Sequence, residues 1–350
     1  SYGSNELADN QTVSVTKNVQ GQYDITMKTG IAHTVYIPDT WGEVTLRLNG
    51  QTISGADAIA EATADGGKEN GDAGADGQTG STNGEQAGGM ARAAQPATPG
   101  LVFIKDAGAN RHTGTTLTVV NGTIQGGNGA AGSMNGAAGV ETAADAPTNA
   151  KIIVGAGAKI LGGNGNANYP NGAPAVVTAA GAKARSAAQR ALTSPINVKI
   201  DAGNGASIIG GNGAHAQDNT QHGGNGGSGI QGEIETLVSG GTIQGGNGGN
   251  GADAVTGTPS NGGKGGAAIS TNRDVTINRG NVAGGNGGQG GKALGDNPSA
   301  GGAGGSGGNA TEGPGASNNN GGNVSGGQGG AGGSSNTGDG GAGGSGGNTG

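Results

Sequence analysis

An all-β, irregular repeat fold is predicted for this 350-residue chain, with β-solenoid-like stacked rungs, packed polyglycine-II helices and long surface loops. Three observations predict it. Glycine supplies 87 residues, while aromatics make up 2% and apolar residues 31%. Short alternating apolar runs recur, each leading into a Gly-Gly-Asn-Gly block. Glycine then fills about two of every three positions across long tracts, most of all towards the C-terminus.

The composition limits the core first. Large aliphatic and aromatic side chains carry most burial energy, and they are scarce here. A conventional layered core is therefore not expected. There is no Cys, which removes disulfide staples and Cys-ligated zinc. The net charge of −7 is spread along the chain, and 17 basic residues form no cluster, which argues against a nucleic-acid partner. No apolar run approaches the length of a membrane-spanning helix. A start at Ser1 instead of Met points either to a removed segment or to a piece of a longer protein.

The strands come next. Gly-Gly-Asn-Gly blocks begin at Gly126, Gly162, Gly210, Gly245 and Gly284, which fits an internal repeat. Ahead of them lie Leu117, Val119 and Ile124; Ile152, Val154 and Ile160; Val198, Ile200 and Ile208; Val238 and Ile243; and Val275, Ile277 and Val282. An earlier copy holds Val44, Leu46, Leu48 and Ile53. Alternation of this kind reads as a half-buried strand. The Asn-Gly, Gly-Gly or Arg-Gly that follows is turn chemistry, after which a second short strand brings one more apolar residue inward. One repeat alone buries almost nothing, so the repeats are expected to stack. Ile124, Ile160, Ile208, Ile243 and Val282 are then expected in one inward row.

The glycine tracts follow. A three-residue period matches polyproline-II geometry, which leaves two edges of bare backbone able to approach a neighbour closely. Collagen is excluded by only 10 Pro and by the interruptions. Four regions result: an N-terminal β-rich attachment or capping module (1–55), a Gly/Ala-rich surface loop or linker (56–100), a repeat array (101–290) and a polyglycine-II-rich C-terminal region (291–350). Within 175–194, Ala, Lys, Arg and Gln permit a short helix.

No catalytic, cofactor or metal site is predicted, and no enzyme activity. The Lys264 stretch lacks the hydroxyl residue of a phosphate-binding loop. The blocks carry Asn where calcium rolls carry Asp. His215, Asp218 and His222 could be joined as a metal site, but a solvated polar loop is the stronger reading.

The run 274–291, "DVTINRGNVAGGNGGQGG", and the returns 265–269, "GGAAI", and 290–294, "GGKAL", resemble the glycine-rich modules of bacteriophage tail-fibre and tail-tip proteins. The C-terminal half resembles the distal tip adhesins of T-even long tail fibres. The resemblance covers roughly 100–350 and rests on composition and rhythm. Glycine-rich autotransporter passenger adhesins carry similar rungs, and a self-assembling extracellular filament subunit is a further alternative. What the resemblance implies is a receptor-binding adhesin at a virion tail-fibre tip or on a cell surface. Its partners would be a bacterial outer-membrane protein or surface glycan, with fibre or identical subunits held through the N-terminal region. The loops 166–174, 214–222, 252–261, 292–300 and 310–320 are the candidate contacts. Their polar residues are Asn168, Tyr169, His215, Gln217, Asp218, Asn219, Gln221, His222, Asp253, Thr256, Asp296, Asn297, Asn318, Asn319 and Asn320.

Overall fold

The computed structural model describes residues 13–17, 21–38, 40–57, 96–104, 114–129, 136–142, 149–166, 171–178 and 197–350. Strands begin with β1 (Val13–Lys17), β2 (Tyr23–Met27), β3 (Val35–Pro38), β4 (Gly42–Arg47) and β5 (Thr52–Ser54). The repeats supply β6 (Leu101–Ile104), β7 (Thr115–Val120), β8 (Gly122–Gln125), β9 (Val140–Thr142), β10 (Asn149–Val154), β11 (Ala158–Leu161) and β12 (Val176–Val177). Next come β13 (Asn197–Ala202), β14 (Ser207–Ile209), β15 (Ile230–Gly232), β16 (Ile234–Gln244), β17 (Ile269–Thr271) and β18 (Val275–Ala283). The last are β19 (Thr311–Glu312), β20 (Ser317–Asn319) and β21 (Asn323–Ser325).

These strands make two sheets. The larger has 14 strands: it runs out through β2, β4, β7, β10 and β13, reaches β16, and returns through β14, β11, β8 and β5. Strands β18, β20 and β21 extend it beyond β16. The smaller has seven strands in the order β19-β17-β15-β12-β9-β6-β3. Pairing is parallel throughout, apart from the antiparallel β1–β2 edge.

The predicted fold class is therefore corrected. The strands form two parallel sheets, the larger a half-barrel, and not a solenoid of stacked rungs combined with polyglycine-II helices. No helix occurs among the described residues. The reason lies in the link between the two strands of a repeat. Early repeats turn there, at Asn49-Gly50 and Asn121-Gly122, where both Asn and the following Gly take positive φ. At Gly240-Gly241 and Arg279-Gly280 the expected turn is absent. The chain runs on as one strand with a local register shift, so β16 and β18 belong to both limbs of one continuous sheet. Residues 175–178, at the start of the possible helix, are buried and carry β12; 179–194 lie outside the described residues.

Register explains the narrow core. Ile53, Ile124, Ile160, Ile208, Ile243, Val282 and Val324 are consecutive partners across seven parallel strands. All but Val324 are fully buried. Leu101, Val140, Val176, Ile230 and Ile269 make the equivalent row of the smaller sheet. Val44, Leu117, Ile152, Ile200, Thr236 and Val275 make a third. Each parallel pair sets like against like, so one modest side chain per strand suffices to exclude water. Thr236 is the exception in its row: its Oγ1 is buried without a hydrogen-bond partner among the described residues.

The glycine tracts continue from the strand ends and pack by backbone–backbone hydrogen bonds, joined by bonds to Asn side chains. Gly285, Gly288 and Gly291 donate to the carbonyls of Gly266, Gly263 and Ser260 at 2.8–2.9 Å. Gly284, Gly287 and Gly290 donate the other way, to Ser325, Gln328 and Ala331. N–H groups three residues apart thus serve the same neighbouring tract, and successive ones serve different tracts. A Cβ on Gly288 would lie 1.9 Å from the carbonyl oxygen of Gly249, which leaves no choice of residue there.

Candidate functional site

The tracts end in loops, and the structure gathers three of the predicted ones together. Ala254 pairs with Ala293, and Ala293 with Ser335, as isolated parallel bridges. This sets 252–261, 292–300 and a further loop, 334–340, one above another. Asn219 ties 214–222 to them by donating its Nδ2 to the Thr256 carbonyl at 3.1 Å. Asn297 is the buried centre of the group. It donates to the carbonyls of Ala254 at 3.1 Å and Gly257 at 2.7 Å, and its Oδ1 accepts from Ser299 N. Thr337 in turn donates to the Asn297 carbonyl at 2.6 Å. A polar loop set packed this way holds its shape through satisfied hydrogen bonds and not through apolar burial.

Several candidate contact residues also support the scaffold, beside a ladder of Asn side chains. Asn128, Asn164, Asn212, Asn247 and Asn286 form a ladder in which each Oδ1 accepts the backbone N–H of the ladder residue in the next repeat, at 2.9–3.0 Å, ending on Gln328. His215 and His222 occupy the same role. Their Nδ1 atoms accept from Asn250 N at 2.8 Å and Asn261 N at 3.1 Å. Asp253 Oδ1 accepts from Lys292 N at 2.7 Å. Each of these side chains gives a backbone donor the partner it needs. Among the described residues no group of three or more His, Asp or Glu is placed to hold a metal ion.

Asp218 closes its own turn. It accepts from the hydroxyl and backbone N–H of Thr220, and these bonds hold its carboxyl below the ordinary carboxylate range. Gln217 and Asp296 are exposed, and Gln221 is half-buried.

Two predicted loops fall elsewhere. Residues 310–320 lie at the far end of the 301–308 tract. There Thr311 and Glu312 form β19, and Asn318 and Asn319 lie in β20. Asn319 caps the N–H groups of Gly321 and Gly322, and Asn320 bonds Asn278. In 166–174, Asn168 and Tyr169 lie outside the described residues, while 172–174 are buried.

The sequence reading also missed two exposed aliphatic side chains in these loops. Val255 is 69% exposed and Leu294 37%, one in each of two adjacent tip loops. Attention to polar types passed over them. The signal was present in both loops: a large aliphatic residue in a stretch without strand alternation. Comparisons with protein-family models, curated proteins and solved structures return no match.

Proposed function

We propose that this chain is a non-enzymatic adhesin that recognises a receptor on a bacterial cell surface through the loop cluster at the tip of its glycine tracts. The observation that carries this reading is the cluster itself. Loops 214–222, 252–261, 292–300 and 334–340 share no sequence pattern, yet they meet at one end of near-identical tracts and are locked by Asn297 and Asn219. Function on loops held by a rigid scaffold is the general expectation. Exposed Val255 and Leu294 beside Asp218 and Asp296 favour a protein loop of an outer-membrane receptor over a glycan, because they supply an apolar contact inside a polar rim.

The test separates surface from scaffold. Gln217, Val255, Leu294 and Asp296 are changed together to Ser, leaving Asn219, Asn297, His215, His222 and Asp253 untouched. Binding of the labelled protein to a panel of intact Gram-negative cells should be lost, with the melting temperature nearly unchanged, since exposed substitutions cost within about 0.5 kcal/mol each. Undiminished binding by the fourfold variant, or no binding to any cell by the parent, overturns the reading.

A further inference from the structure

The links between paired strands stack on one another in the early repeats and lose that stacking at one place. Gly50 donates its N–H to the Asn121 carbonyl at 2.7 Å, Gly122 to that of Gly157 at 3.0 Å and Gly157 to that of Gly205 at 3.3 Å. The next link, Gly240-Gly241, runs straight within β16. Gly205 therefore meets no carbonyl from it, and its N–H has no acceptor among the described residues. The Asn204 carbonyl and side-chain amide are likewise without a hydrogen-bond partner there. Asn204 and Gly205 are both exposed. The turn itself is closed by Ala206 N donating to the Gly203 carbonyl at 3.1 Å, with Gly205 at φ 75°.

Every other Asn-Gly pair among the described residues has its glycine N–H engaged. In the glycine tracts Gly213 donates to the carbonyl of Asn247, Gly248 to that of Asn286 and Gly287 to that of Gln328, each at 2.8 Å. Their Asn side chains are held as well, because each Oδ1 accepts a backbone N–H of the next repeat. Asn-Gly is the pair in which the following backbone nitrogen most readily reaches the side-chain amide carbon, since glycine has no Cβ to obstruct the approach. In the other pairs that approach requires a hydrogen bond to break. At Asn204-Gly205 the peptide group can rotate without breaking one.

We propose that Asn204 is a site of spontaneous covalent modification in the folded protein, closing to a succinimide that water opens to aspartate and isoaspartate. The Gly205 nitrogen, after losing its proton to hydroxide, attacks Asn204 Cγ. The N–Cγ bond forms, the Cγ–Nδ2 bond breaks, and Nδ2 leaves as ammonia with a proton taken from water. Water then adds to one of the two ring carbonyls, and the ring C–N bond at that carbonyl opens. Opening at the Asn204 main-chain carbonyl leaves an isoaspartyl link, and opening at Cγ leaves aspartate. Either product adds a negative charge. Strands β13 and β14 on either side keep their partners, so the modified chain stays folded.

The experiment ages the whole protein in mildly alkaline buffer and maps isoaspartate and aspartate by electron-transfer fragmentation of its peptides. Asn204 should convert about tenfold or more faster than Asn121, Asn212 and Asn247, since the glycine after each of those must first give up a hydrogen bond. Its rate should rise in proportion to hydroxide. Ageing in guanidinium removes the structural difference, and the four sites should then convert at similar rates. The variant Asn204→Asp carries one product from the start and should melt as the parent does, because the position is exposed. Equal rates at Asn204 and Asn212 in the folded protein overturn the proposal. A preference for Asn204 that persists undiminished in guanidinium also overturns it, by assigning the reactivity to local sequence and not to the fold. Loss of the folded state in Asn204→Asp overturns the claim that the modified chain stays folded.

Discussion

Single atoms decide several outcomes in this chain, because so little apolar surface backs each one. Thr236 places a hydroxyl in an otherwise apolar row and leaves Oγ1 unsatisfied. Thr236→Val removes a buried polar group without a partner, so it should stabilise the protein by about 1 kcal/mol in chemical denaturation. A loss of stability would mean that the hydroxyl has a partner after all. In the next limb, Ile243 is buried between Ile208 and Val282. Ile243→Asp buries an unpaired charge and should cost more than about 4 kcal/mol, read as loss of the folded state. Asp218 carries the pH dependence. Its lowered carboxyl value means the turn at 218–220 is fully supported above the ordinary carboxylate range. That support is lost as pH falls through the lowered value. An NMR titration should show the Thr220 amide moving with that lowered midpoint, and Thr220→Val should bring the Asp218 midpoint back up.

At the scale of the element, the glycine tract behaves as an inflexible part because its neighbours leave no space. Gly288→Ala forces a Cβ to within 1.9 Å of the Gly249 carbonyl, and the same clash recurs along the tract every third residue. This one methyl should markedly lower the unfolding midpoint. Gly343→Ala is the matched control, since its Cβ has only the Gly330 oxygen at 3.8 Å. It should change stability by less than about 0.5 kcal/mol. Equal effects of the two would remove the close-packed account of the tracts. Strands are held by the opposite means: long strands β16 and β18 join both limbs of the half-barrel, so the larger sheet cannot open at one limb without straining the other.

Across the whole molecule, stability comes from in-register rows within the sheets and from main-chain bonds between tracts. The Asn ladder spans six repeats and engages the side-chain oxygens that a cation would otherwise attract. A chelator should therefore leave the melting temperature unchanged. A fall of several degrees would assign the ladder to metal.

Sequence alone determined which side chains turn inward and which turns are glycine-dependent. Alternation placed Ile124, Ile160, Ile208, Ile243 and Val282 on one face, because successive strand residues point to opposite sides whatever the partner strand is. Asn-Gly marked the bends at Asn49 and Asn121, because left-handed backbone is inexpensive only for such residues. Asn in the blocks was legible as structural, since an amide can cap a backbone donor. The tertiary structure decided the rest. Whether Gly240-Gly241 bends or runs straight depends on the strands already flanking it, and the identical dipeptide chemistry permits both. Loop 310–320 was grouped with the tip on sequence character, but the length of the intervening tract carries it to the other end. His215, His222 and Asp253 became acceptors only because a backbone N–H from a residue 35 to 39 positions later arrives beside them. Pairing at that separation is a property of the assembled layers, and no local pattern encodes it.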